Sequence, residues 1–232
     1  MRNYIKTLFL ALLVCAGATS LTNAQERAVS NFDGVAVNGS IKAIIQIGNQ
    51  ESLRFEGDQD AIAELITEVR SGVLTIKNKS KRAEWTKKNR NSQITAYITV
   101  KRLTSLTMSG SGSIDVQGMI NSTELFTTLS GSGVIRASAN VKTLNAVISG
   151  SGNLSLSGKA NDANITVGGS GNFRGTTLQA ETASTTISGS GSIYISANRK
   201  LNAVVSGSGN VHYTGNAAVE KTVVGSGGVR KS

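Results

Sequence analysis

Apolar residues recur at fixed offsets from a Gly-Ser-Gly triplet that is repeated along the second half of the chain. Successive triplets begin 18 to 21 residues apart, at Gly110, Gly131, Gly150, Gly169, Gly189, Gly207 and Gly225. The position two residues before each triplet is apolar in every copy: Met108, Leu129, Ile148, Val167, Ile187, Val205 and Val223. So is the position two residues after it: Ile114, Ile135, Leu154, Phe173, Ile193, Val211 and Val229. This period of two around a glycine turn predicts strand, turn and strand in each copy.

Two architectures accommodate such a repeat. A strand–turn–strand unit cannot bury one face alone, so the copies must pack into a continuous core. In a β-solenoid, coils of about 19 residues stack in parallel and place like residues in columns. A series of hairpins in an antiparallel sheet also fits the spacing. The like-on-like columns favour the solenoid, because identical turns suit in-register stacking better than alternating strand directions.

The chain before the repeats is less regular. Residues 32–57 alternate in strand fashion, whereas apolar residues at 62, 65, 66 and 69 follow a helical period. With Asp58 or Asp60 as N-cap and Gly72 beyond the end, this pattern predicts one short helix over about residues 60–70, which covers the N-terminal end of the solenoid. We therefore expect an all-β, single-domain fold over residues 25–232, with irregular coils at 25–108 and seven Gly-Ser-Gly repeats at 109–232.

Residues 1–24 have the features of a signal peptide. Arg2 and Lys6 precede an apolar run from Leu8 to Ala16, and small residues lead to Ala24, where we expect cleavage. The run is shorter than the roughly 20 residues of a membrane-spanning helix. Cys15 is the only cysteine, and lipidation there is disfavoured because Val14 precedes it where a small residue is usual. We therefore expect an exported protein that is located in the periplasm, on the outer membrane or at the cell surface.

Three sequence features resemble the head GIN domain family, whose members are described as "putative auto-transporter adhesins". They are the opening Asn31-Phe32-Asp33-Gly34-Val35, the later Gly72-Val73-Leu74-Thr75-Ile76, and the recurring Ser-Gly-Ser-Gly. The resemblance covers nearly all of the mature chain. It implies a right-handed β-helix-like fold of a kind common in the envelopes of Bacteroidota. It brings no catalytic residues, so none are assigned.

Charge and composition narrow the function further. Loss of residues 1–24 lowers the formal net charge from +10 to +8, so the mature chain stays basic. A basic surface increases solubility and also favours anionic partners. Because the protein is expected to be exported, we do not expect nucleic acid among these partners. With one histidine and no mature cysteine, we expect no metal and no cofactor. We also expect no enzyme, because the acids of the repeats do not share a column on neighbouring coils: Asp115, Glu124, Asp162, Glu181 and Glu220.

Two groups of residues are candidates for binding. The column three residues after each triplet should face outward, and it contains Arg136, Arg174, Tyr194 and His212. Arginine pairs with carboxylate or sulfate and tyrosine packs against a sugar, so this strip suits an acidic glycan, although an ordinary solvated face has the same pattern. A basic segment suits anionic head groups: Lys77, Lys79, Lys81, Arg82, Lys87, Lys88 and Arg90.

The sequence therefore predicts a non-enzymatic envelope protein. As an adhesin or binding module it presents a regular solenoid face to acidic polysaccharide, lipid head groups or an envelope protein. The alternative is a structural protein without a small ligand, whose function is to associate with itself as a homo-oligomer. Neither hypothesis identifies the ligand.

Overall fold

A computed structural model describes residues 25–79 and 92–232 of the chain. The predicted signal peptide at 1–24, with Cys15, lies outside the described residues. The described ranges contain sixteen strands and one short helix, so the fold is nearly all β. No helix in these ranges is long and apolar enough to cross a membrane.

The elements before the repeats are short, and most elements after them are long. The first group comprises β1 (Gln25–Arg27), β2 (Gly34–Gly39), β3 (Lys42–Ile47), β4 (Ser52–Gly57), α1 (Gln59–Ala63), β5 (Leu65–Arg70), β6 (Val73–Asn78), β7 (Ile94–Val100) and β8 (Ser105–Gly110). The second group comprises β9 (Ser113–Gly131), β10 (Val134–Gly150), β11 (Asn153–Gly169), β12 (Asn172–Gly189), β13 (Ser192–Gly207), β14 (Asn210–Thr214), β15 (Ala218–Val224) and β16 (Gly228–Lys231).

The strands form two ladders that meet at the Gly-Ser-Gly turns. The post-turn ladder consists of the segments that follow each turn, in the order β1, β4, β7, β3, β9, β10, β11, β12, β13, β14 and β16. The pre-turn ladder joins the segments that precede each turn, in the order β5, β6, β2, β8, β9, β10, β11, β12, β13 and β15. Each of β9 to β13 begins in the post-turn ladder and ends in the pre-turn ladder. From β8 onward every pairing is parallel, which confirms the β-solenoid over the hairpin arrangement.

The predicted apolar columns form the core. Ile135, Leu154, Phe173 and Ile193 are direct neighbours on adjacent strands and are completely buried. On the pre-turn side the column from Met108 to Val205 is buried in the same way. Stacked apolar side chains thus fill the interior as the period of two predicts, up to the last strands, where Val223 is 38% exposed.

The turns require glycine at their first position. Gly150 has φ of +121°, and a Cβ atom there would lie 2.6 Å from the carbonyl oxygen of Gly131 in the coil before. That oxygen accepts hydrogen bonds from the backbone N–H groups of Ser151 and Gly152, at 3.0 and 2.9 Å. The close stacking of the turns therefore leaves no room for a side chain.

The predicted helix is shorter than expected. The carboxylate of Asp58 accepts a hydrogen bond from Ala61 N at 3.0 Å, which lowers the Asp58 pKa and confirms it as N-cap, but α1 ends at residue 63. Residues 65–70 instead form β5, an antiparallel partner of β6 joined through Ser71 and Gly72, both with positive φ. Such a two-residue turn matches the twist of a hairpin, so the edge of β6 competes successfully for this segment.

Arg27 closes the N-terminal end of the solenoid. Its Nη1 donates hydrogen bonds to Leu65 O (2.7 Å) and Thr67 Oγ1 (3.0 Å), and its Nη2 donates one to Ile62 O (2.8 Å). The guanidinium lies 5.0 Å from the ring centroid of Phe55, and burial lowers the Arg27 pKa. One side chain therefore links β1 in the post-turn ladder to α1 and to β5 in the pre-turn ladder.

Candidate ligand-binding strip

The strand register brings the predicted outward residues into one column. Consecutive neighbours across the post-turn ladder are Asp115, Arg136, Ser155, Arg174, Tyr194, His212 and Arg230. They follow one another at the strand spacing of about 4.8 Å. We call Arg136, Ser155, Arg174, Tyr194 and His212 the outer strip. The predicted column is thus confirmed as a geometric feature, with Ser155 between the two arginines.

The aromatic end of the outer strip is a pair of stacked rings. The rings of Tyr194 and His212 are stacked, with centroids 4.8 Å apart and planes inclined by 9°. The stacking follows from the parallel register, since equivalent side chains on neighbouring strands lie about one strand spacing apart. Tyr194 is 37% exposed, which leaves ring surface available to a ligand.

The two arginines differ in their partners. Arg136 Nη1 lies 3.0 Å from Asp115 Oδ1 in an exposed ion pair. Arg174 is exposed and makes no hydrogen bond or ion pair with another residue in the described parts of the chain. The charge of Arg136 is therefore partly compensated, whereas Arg174 keeps its donors for a ligand. Asp115 also stands three residues after a triplet and so belongs to this column, but the repeat pattern does not indicate that it pairs with Arg136.

A groove of about 390 Å³ runs beside the arginines. Its hydroxyl-bearing lining includes Ser138, Ser155, Ser157, Thr176 and Thr177, and the Oγ atoms of Ser138 and Ser157 are 2.7 Å apart. The groove coincides with an irregularity, because β12 has one more residue than β11 between their paired positions Arg174–Ser155 and Leu178–Gly158. Cations and hydroxyl groups thus converge on one concave surface.

Toward the N-terminal end the same column continues through Ile44, Tyr97, Arg54 and Glu26. Arg54 lies 4.5 Å from the ring centroid of Tyr97 and forms an ion pair with Glu56. A hydrogen bond to Glu56 raises the Tyr97 pKa. A larger cavity of about 960 Å³ opens here, but its cations Arg27 and Arg54 are already held by the protein. We therefore place the candidate site at the groove and not at the larger cavity.

The basic segment is described only at its start. Lys77 Nζ donates to Glu68 Oε1 at 2.5 Å, which lowers the Glu68 pKa, so this lysine stabilises the β5–β6 hairpin. Lys79 is exposed at the end of the described range. The other predicted residues lie outside the described residues: Lys81, Arg82, Lys87, Lys88 and Arg90. In the described ranges no three His, Cys, Asp or Glu side chains are grouped so that they could hold a metal.

Comparison with known proteins agrees with the solenoid fold. A family model described as "Putative auto-transporter adhesin, head GIN domain" matches residues 31–217. A solved "putative adhesin" from Bacteroides fragilis superposes with a TM-score of 0.79 at 19% identity, covering 90% of this chain and 96% of that one. A "putative lipid binding protein" from Parabacteroides distasonis gives 0.72 at 26% identity, with the same coverage.

A "putative adhesin" from Parabacteroides merdae gives a TM-score of 0.68 at 18% identity, covering 90% of this chain and 95% of that one. A comparison with curated proteins finds no significant match. The family model spans most of the solenoid, and the solved structures share its fold. The chain belongs to the head GIN domain family of "putative auto-transporter adhesins".

Proposed function

We propose that this protein is an exported, non-enzymatic binding module that holds acidic polysaccharide along the outer strip. The observation that carries the proposal is Arg174, which has no partner among the described residues and lies directly beside the stacked rings of Tyr194 and His212. An exposed cation beside an aromatic ring suits an acidic sugar, which carries both an anionic group and apolar C–H groups. The adhesin names of the family and its neighbours agree with a binding role.

The chemistry of the strip divides into two parts. The planar guanidinium of Arg174 can donate two parallel hydrogen bonds to a carboxylate or sulfate group. One face of Tyr194 is stacked on His212, so the opposite face, on the Arg174 side, is the apolar surface open to the C–H groups of a sugar ring. Because Arg174 and Tyr194 are register neighbours, about 4.8 Å apart, one acidic residue of a polysaccharide reaches both. The hydroxyl groups of the groove serve the remaining sugar hydroxyls.

The same geometry supports binding without catalysis. Glycoside hydrolysis usually needs two carboxyl groups on opposite sides of the scissile bond. The column that runs from Asp115 to Arg230 across the strands contains one carboxylate, that of Asp115, which forms an ion pair with Arg136. A surface of this kind retains a polymer, which is the role of an adhesion module in the envelope.

The test is calorimetric titration of the protein with a polyuronate oligosaccharide. Arg174→Ser removes the free guanidinium, and loss of one charge-assisted hydrogen bond of about 1.5–3 kcal/mol should weaken binding by tenfold or more. Arg199→Ser is the matched control, because Arg199 is an exposed arginine of β13 outside the strip. Equal affinity of the Arg174→Ser variant and the unchanged protein would refute the proposal.

Anionic lipid head groups are a second candidate, favoured by the basic segment and by the name of the 26% identical "putative lipid binding protein". Vesicles with and without anionic lipid distinguish the two surfaces. Binding that survives Arg174→Ser but disappears when Lys81, Arg82, Lys87, Lys88 and Arg90 are neutralised assigns lipid recognition to the basic segment. Binding lost in Arg174→Ser alone assigns it to the outer strip.

A further inference from the structure

The outer surface of the pre-turn ladder differs sharply from the outer strip. Its central outward column runs through Thr107, Thr128, Val147, Thr166, Thr186 and Val204, which are neighbours on strands β8 to β13. The columns two residues to either side contain serine, asparagine, glycine and Phe126. None of the three columns has a charged residue on these six strands. We call this surface the neutral face.

The neutral face also exposes apolar side chains. Phe126 is 48% exposed, Val204 is 45% exposed and Val147 is 43% exposed. Burial of such side chains is favourable by about 25 cal/mol for each Å² of apolar surface. These three side chains stand among threonine, serine and asparagine, so the face is uncharged and partly apolar and can pack closely against another protein.

The size of the neutral face suits a small specific interface. Six strands at about 4.8 Å spacing and five residues at about 3.3 Å rise cover roughly 500 Å². Two such faces together bury about 1,000 Å², the lower limit for a specific protein contact. Small threonine, serine and valine side chains also allow two sheets to approach to the usual separation of about 10 Å.

Charge favours a second copy of this chain as the occupant. The exported chain keeps a net charge of +8, so two copies repel each other wherever basic side chains meet. Contact through the post-turn ladder would oppose the arginines of the two outer strips. Contact through the neutral face brings no charged residues of its three columns together. Because both copies use the same surface, the dimer can have two-fold symmetry.

We propose that two copies of this chain associate face to face through the neutral face. The dimer leaves both outer strips free, on the post-turn ladders. A long polysaccharide that engages both strips is then held by two sites, which raises the overall affinity without any new contact to the ligand. The dimer does not depend on the proposed ligand, since the two surfaces lie on different ladders.

Sedimentation equilibrium of the exported chain tests this inference. The expected result is twice the mass of one chain, with a monomer fraction that grows on dilution. Val147→Lys places a charge on each side of the interface and should give the monomer. Asn140→Lys adds the same charge to an exposed position of the same strand, outside the neutral face, and should leave the dimer intact.

Thr166→Lys on the neighbouring strand provides a second disruption, and circular dichroism checks that each variant keeps its β-structure. A monomeric unchanged chain at every concentration overturns the inference. So does a dimer that persists in both folded lysine variants of the neutral face.

Discussion

At the scale of single residues, glycine has two different roles in this chain. Gly150 occupies a turn where φ is +121° and where a Cβ atom would meet a backbone oxygen at 2.6 Å. Gly168 lies directly before the first glycine of its triplet, and a Cβ atom there would come no closer than 3.8 Å to the neighbouring coil. Of these two residues, only Gly150 must be glycine for the backbone to adopt its conformation.

This difference predicts opposite outcomes for the same substitution. Gly150→Ala should destabilise the protein by about 2 kcal/mol or more, because alanine is strained at this φ and the clash involves backbone. Gly168→Ala should change the free energy of unfolding by less than about 1 kcal/mol, since alanine fits and restricts the unfolded chain. Urea denaturation of both variants measures the difference. Equal destabilisation would contradict the proposed role of the turns.

Some positions of single residues can be predicted from the sequence, whereas some of their contacts cannot. The inward position of Phe173 follows from a period of two, which is a local property. The contacts of Arg27 with Ile62 and Leu65 join residues 35 and 38 positions apart, and no local pattern indicates them. The pair Arg136–Asp115 is an intermediate case, because the repeat pattern places both residues in one column but does not indicate the ion pair between them.

At the scale of elements, residues 65–70 demonstrate where local patterns are ambiguous. Apolar residues at 62, 65, 66 and 69 satisfy a helical period, yet Leu65, Thr67 and Val69 also alternate as in a strand. The free edge of β6 decides between the two, because it offers six paired positions to β5. The length of α1 therefore depends on a tertiary contact and could not be predicted from the segment alone.

Arg27 holds these N-terminal elements together, so its removal should loosen the end of the solenoid. Arg27→Met keeps an apolar stem over Phe55 but loses the hydrogen bonds to Ile62 O, Leu65 O and Thr67 Oγ1. We expect a loss of about 2–3 kcal/mol in the free energy of unfolding, with faster hydrogen exchange in β5 and β6. Arg230→Met, at an exposed position of β16, should have little effect. Unchanged exchange in β5 and β6 would show that Arg27 is dispensable.

At the scale of the whole molecule, the described ends of the solenoid differ. Arg27 covers the first end, whereas Val224 near the other end is 66% exposed. Lys221 occupies the inward column that holds Thr185 and Ala203 on the preceding strands. An inward lysine at a sheet edge opposes the addition of another coil. End-to-end stacking, the structural alternative, is therefore disfavoured at this edge, and the neutral face remains available for association.

We propose that the two faces of the solenoid have different functions, one in ligand binding and the other in dimer formation. Regular stacking makes each column uniform, so a column of one chemical type becomes a surface of that type. Arg174, Tyr194 and His212 form such a surface on the post-turn ladder, and we propose that acidic polysaccharide binds to it.

The most direct test of that claim is proton NMR of the His212 imidazole during titration with a polyuronate oligosaccharide. His212 is the only histidine of the chain, so in the untagged protein its ring signals are unambiguous. We expect these signals to move saturably, with the dissociation constant found by calorimetry, and Arg174→Ser to weaken the response. Imidazole signals that stay in place while the oligosaccharide binds elsewhere, or that never respond, would contradict it.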